Sequence, residues 1–167
     1  QITDEAILHD AHREERSLCR FLFGSGRFQG NKTDSYHPGN ADLLWIIMNR
    51  KGNPIGLTVL AMLVAHRLGL CIGGCNFPAH FLAWISVDGH SHLVDCFGAG
   101  RLIPVAEIRT NSAVLTPDSQ RSIQGPCTMR DILLRILRNL HLAFTRNDRS
   151  NDACLIDELL LSLQPEQ

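Results

Sequence analysis

Lysine is nearly missing from this chain. Of its 16 basic residues only Lys32 and Lys51 are lysines, and the net charge is -1. A chain without cationic excess lacks the field that draws a protein to nucleic acid or to an anionic membrane surface, so neither partner is expected. The arginine bias favours planar, bidentate contacts and names no partner. Long apolar runs are missing as well. The longest, Leu57 to Ala65, is interrupted by Thr58 and stops at His66, far short of the ~20 residues of a membrane-spanning helix. The residues after Gln1 are polar and acidic, without the character of a secretory signal. No pair among the six cysteines has CxxC spacing, and they are too sparse and irregular for a disulfide scaffold. A reducing, cytoplasmic setting is expected, with no resident metal and no cofactor. The glycines of GAGR (98 to 101) lack the Gly-Lys-Ser/Thr sequel of a phosphate loop and read as a turn that returns Arg101 over the sheet.

Apolar residues at 44% and charged residues at 20% over 167 positions describe one globular fold with a real core. Residues 3 to 23 read as a helix, with Thr3 as cap, acids in the first turn, and Ile7, Leu8, Leu18, Phe21 and Leu22 as apolar surface. A polar stretch of 17 residues then runs to Asn40, a length that ordinarily covers or binds something. Leu43 to Met48 make a short second helix. Asn53 followed by Pro54 starts the central helix, with a side-chain acceptor at the cap and a proline where no N–H is needed. Apolar residues occupy nearly every side of that helix, which predicts that neighbours enclose it.

After Gly69 the period shortens. Residues 71–77, 81–87 and 92–97 read as three antiparallel strands, with a hairpin turn at Asp88-Gly89. A helical turn is expected at 104–108 and surface loop at 110–127. Thr128 with Asp131 opens a further helix, and a last one spans about 152–163. Helices flanking a small antiparallel sheet make an α+β fold. The expected division is 1–127 as the main domain and 128–167 as a C-terminal helical hairpin packed on the same core.

The chemistry centres on His80 and Asp95. A turn at 88 and 89 places Asp95 roughly opposite His80 to Ala83. A carboxylate on one ring nitrogen fixes the tautomer and leaves the other nitrogen as a base. The plain alternative is a structural pair holding the start of the hairpin. Among the cysteines, Cys75 lies in the strand leading to His80 and is the candidate thiol, although burial as a small hydrophobe is the commoner role. His80, His90, His92 and Asp95 show no compact zinc spacing, and His90 and His92 read as exposed hairpin residues. Arg101 near Asp95 either pairs with it or clamps a ligand carboxylate.

Five segments, FQGNKTDSYHPGN (28 to 40), RKGNPIGLTVLAMLVAHRLGL (50 to 70), CNFPAHFLAW (75 to 84), LVDCFGAGRLI (93 to 103) and MRDILLRILRNL (129 to 140), resemble the SirB1-like branch of the transglutaminase-like superfamily. The resemblance implies a core related to papain-like cysteine proteases, with a tail like the start of tetratricopeptide-like helices. In active members a cysteine at the start of the core helix precedes a histidine and an aspartate on adjacent strands. His80 and Asp95 match that pair, and Trp84 sits in the aromatic stretch that follows the histidine. The departure is at the nucleophile: the helix opens Asn53-Pro54-Ile55-Gly56, where this branch tends to read GNPIS, and glycine has nothing to attack with. Two functions are therefore expected. One is a degenerate, non-catalytic domain that binds a peptide or protein. The other is an amide or peptide hydrolase or acyl transferase using His80 and Asp95 with Cys75 or an activated water. Gly56 tips the expectation against an enzyme. Neither a named partner nor an oligomeric state follows from the sequence.

Overall fold

The computed structural model describes residues 1–110 and 115–163. Residues 3 to 23 do not make one helix. They form α1 (Ile2–Leu8) and α2 (Glu15–Cys19), the latter running into a π-helical turn, Arg20–Gly24. Between them Asp10 adopts a positive φ of 53°. From His9 to Ser17 only Ala11 is apolar, so a helix there has no stripe to bury and its tertiary support ends.

The central helix is α4 (Pro54–Arg67), preceded by α3 (Leu43–Asn49). Between the two runs the two-residue strand β2 (Lys51–Gly52), which pairs in parallel with β1 (Gln29–Gly30). Ile55, Leu57, Leu60, Ala61, Val64 and Ala65 are all buried along α4. Each fully buried Leu or Ile contributes about 1.5–3 kcal/mol. The sequence expectation of an enclosed helix is met along most of α4, with Leu63, 49% exposed, as the exception.

Four strands follow rather than three, in the order β3 (Gly73–Cys75), β4 (Leu82–Val87), β5 (His90–Asp95) and β6 (Arg101–Pro104), all antiparallel. Asp88 and Gly89, both at positive φ, form the tight β4–β5 turn. β6 lies where the sequence suggested only a turn. It is short, and Leu102 and Ile103 are its only apolar residues, too few for an alternating pattern to stand out. α5 (Val105–Thr110) takes the place of the predicted helical turn, and α6 (Pro117–Ser122) interrupts the predicted loop, whose positions 111–114 lie outside the described residues.

One face of the sheet, through Ala83, Ile85 and Val94, packs with Leu57, Leu60 and Ala61 of α4 and with Leu18 and Cys19 of α2. Leu82 and Leu93, turned the other way, pack with Cys75, Val105 and Ile123. α7 (Met129–Arg146) begins with the expected capping box between Thr128 and Asp131, and α8 (Ser150–Ser162) lies against it. Ile132 of α7 meets Ile55 and Phe81, which ties the helical hairpin to the start of α4.

Candidate functional site

The start of α4 is assembled from the long polar loop. Asn53 caps the helix by accepting from the Gly56 N–H (2.8 Å), and its own N–H donates to the Asn40 carbonyl (3.0 Å). Asn40 is held in turn: Asn31 Nδ2 donates to Asn40 Oδ1 (2.8 Å), and Asn40 Nδ2 donates to the Asp34 carbonyl (2.8 Å). Both asparagines are buried, and their polar atoms satisfy one another and the loop backbone. The loop thus covers the helix start, one of the two roles its length suggested.

The consequence falls on Gly56. A Cβ built there would lie 2.6 Å from the Asn40 carbonyl oxygen and 2.6 Å from Ile46 Cδ1. Glycine is needed at this position for close approach of the backbone. Thr58, the nearest hydroxyl, is buried and donates to the Pro54 carbonyl (2.9 Å), as helix threonines do.

His80 lies between the Pro78-Ala79 turn and β4, with its N–H donating to the Phe77 carbonyl (3.0 Å). Its Nδ1 is buried and has no hydrogen-bond partner. The β4–β5 register pairs Ala83 with Val94. Continued by one step it sets Asp95 opposite Leu82, two residues from His80. No hydrogen bond joins the two side chains. Asp95 Oδ1 instead accepts from the Gly98 N–H (2.8 Å), and Oδ2 lies 3.9 Å from Arg101 Nη2. The carboxylate organises the turn into β6, and Arg101 stands beside it as a loose partner.

Cys75 pairs with Leu82 on β3 and packs on the side of the sheet away from α4. Its thiol donates to the Ser122 carbonyl (3.2 Å). Burial first, and the neighbouring Cys127 second, push the thiol up to about 12. Cys96 packs on the α4 side, and burial pushes its thiol up to about 12 as well. Neither has the electropositive surroundings of a reactive thiol. His90 is exposed and His92 half-buried, its Nδ1 3.0 Å from the His90 carbonyl. Among the described residues no three His, Cys, Asp or Glu side chains stand close enough to hold a metal, and no helix is long and apolar enough to cross a membrane.

A cleft of about 200 Å³ opens over the N-terminus of α4, lined by His37, Asn53, Phe81, Arg135 and Asn139 among others. His37 Nδ1 accepts from the Gly39 N–H (3.0 Å), and its ring stacks on Trp45 with centroids 4.6 Å apart. That bond leaves the proton of the neutral ring on Nε2. Arg135 Nη1 donates to Asn76 Oδ1 (3.3 Å). Sequence reading missed His37, Arg135 and Asn139. The HPGN segment was the only local sign, and nothing local connects it with α7.

The profile of the transglutaminase-like superfamily matches residues 2–138. A UPF0162 protein of Xylella fastidiosa (strain Temecula1) is 36% identical over 157 residues, covering 90% of this chain and 56% of that protein. A UPF0162 protein of Vibrio cholerae is 23% identical over 177 residues, covering 96% and 62%. Human F-box only protein 21 is 26% identical over 157 residues, covering 87% and 24%. The chain thus spans about half the length of the Xylella relatives it matches. No solved structure gives a significant match.

Proposed function

Since the chain belongs to the transglutaminase-like superfamily, we propose that it is a degenerate member, of the SirB1-like branch, whose cleft at the start of α4 binds a peptide or protein segment without processing it. The observation that carries this reading is the packing at Gly56: the Asn40 carbonyl occupies the space a nucleophile's side chain would need. The raised thiol of Cys75, on the far side of the sheet, supports it by disfavouring that cysteine as a substitute. The cleft offers an extended ligand an apolar wall at Phe81 and polar anchors at His37, Asn139 and Arg135. The division of the chain at 127/128 belongs to the same reading, with the helical hairpin supplying one wall. Six free cysteines favour a reducing, cytoplasmic setting.

One observation favours the alternative, an amide or peptide hydrolase or acyl transferase. The Nδ1 of His80 is a buried ring nitrogen without a hydrogen-bond partner, a base with no structural duty that a water admitted to the site could use. The deciding experiment incubates the chain with glutamine peptides plus a fluorescent primary amine, and separately with fluorogenic peptide amides. In parallel, a displayed peptide library is selected on the wild type and on Asn139→Ala. No turnover above the His80→Ala background, together with peptides that lose affinity for Asn139→Ala, supports the binding domain. Turnover that disappears in His80→Ala restores the enzyme.

A further inference from the structure

A second groove lies away from this cleft. α3 contributes Leu43 and Ile47 to it, its C-terminal cap contributes Arg50, and α4 contributes Leu60, Leu63, Val64 and Arg67. Leu43 and Ile47 stand one turn apart on α3, Leu60, Leu63, Val64 and Arg67 share one face of α4, and Arg50 follows α3 at its left-handed cap. Ile2 and Thr3 of α1 close a third side, giving a groove of about 320 Å³. Ile47 and Leu63 are exposed, as are Leu44 and Met48 of α3. A contiguous apolar surface rimmed by charge marks an interaction site more often than a chance exposure.

The arginines specify what fits. Arg50 closes α3 at a positive φ of 57°, with its guanidinium over the Phe28 ring at 4.9 Å. Its Nη1 is buried and has no hydrogen-bond partner. Among the described residues neither Arg50 nor Arg67 makes an ion pair, and no carboxylate lines the groove. Arg67 is exposed on the groove and Arg50 lines it, and a carboxylate is the acceptor that matches a guanidinium without an ion-pair partner.

We propose that the α3–α4 groove docks an amphipathic helical segment of a partner protein, its apolar residues seated between Ile47 and Leu63 and its acidic residues paired with Arg50 and Arg67. Two apolar helix stripes flanking a trough accept a third helix by laying side chains into it. This proposal is independent of the α4 cleft and of any activity there.

The test uses fluorescence anisotropy with a labelled 16-residue helical peptide carrying leucine on one face and glutamate along its borders. A matched peptide with glutamine for glutamate, and laurate as a competitor, complete the set. The glutamate peptide is expected to bind and the glutamine peptide to bind about tenfold more weakly. Arg67→Glu, at an exposed position, is expected to weaken the glutamate peptide by about tenfold or more, with unchanged thermal unfolding, and Leu63→Ser to abolish binding. Equal binding of both peptides, or none of either, overturns the proposal. So does displacement by laurate with no discrimination between peptides, which would make the groove an acyl-chain site. A dimer in size-exclusion chromatography that Leu63→Ser dissociates assigns the groove to a second copy and overturns it too.

Discussion

The carbonyl oxygen of Asn40 and the α-carbon of Gly56 are packed so closely that a Cβ at position 56 would stand 2.6 Å from that oxygen. The carbonyl is also pinned by the Asn53 N–H, so it has little freedom to withdraw. Gly56→Ala is therefore expected to lower stability by about 1–3 kcal/mol, despite the better helix propensity of alanine. Urea unfolding measures it. Gly56→Cys is expected to cost at least as much and to gain no amide hydrolysis. An unchanged midpoint for Gly56→Ala would show that the loop yields to a side chain and would reopen the nucleophile position.

The two buried asparagines that hold the loop act as one unit. Asn40→Ala leaves Asn31 Nδ2 without its acceptor and the Asp34 carbonyl without its donor, at an expected cost of about 1–3 kcal/mol. Amide hydrogen exchange across 31–40 should rise in the variant while the β4–β5 hairpin stays protected. Uniform exchange increases would mean that the loop is coupled to the whole fold instead.

Thiol labelling separates the six cysteines by position. Cys71 and Cys154 are exposed and should react with iodoacetamide at pH 8 in the folded protein. Cys75 and Cys96 should react only on unfolding, because burial keeps them protonated. Peptide mass spectrometry of the labelled chain reads this directly. Rapid modification of Cys75 would revive it as a nucleophile.

The same burial sets an alkaline limit. Burial pushes the Cys75 and Cys96 thiols up to about 12 in the folded chain, from the ordinary thiol value of 9.0. Their neutral form is favoured by folding, so the stabilisation is fully present below pH 9 and is lost as pH rises towards 12. Unfolding midpoints taken from pH 8 to 11 should fall, and fall less steeply in Cys75→Ala. Parallel curves for the two proteins would contradict the assignment.

The capping box of α7 gives an acid-side counterpart. The Thr128 hydroxyl and N–H both donate to Asp131 Oδ2, and they hold its carboxyl below the usual range. Its share of stability is present above about pH 4 and is lost as pH falls through the lowered value. Thr128→Ala should cost about 1 kcal/mol at pH 7, and the difference from wild type should shrink below pH 3. A pH-independent difference would assign the loss to packing.

Much of this architecture was readable from local signals. Asn53-Pro54, Thr128 with Asp131, and Asp88-Gly89 announced two helix starts and a hairpin, because caps and tight turns depend on neighbours within four residues. The all-round apolar pattern of α4 announced its burial. The β4–β5 register followed from the turn alone, since an antiparallel pair propagates from its hairpin. Where a local pattern was weak, reading failed: the break after Leu8 and the short β6 depend on what the rest of the fold offers them.

The sequence by itself determined the α+β class, the central helix and the hairpin, the superfamily resemblance and the absence of a cysteine at the head of α4. Only the tertiary structure decided what those residues face. Antiparallel register sets Asp95 opposite Leu82, and the turn into β6 engages its carboxylate. Strand alternation puts Cys75 on the side of the sheet away from α4. The fold brings the 31–40 loop, the head of α4 and the middle of α7 together as one cleft. Contacts between segments a hundred residues apart arise from packing, and no local pattern in the chain encodes them.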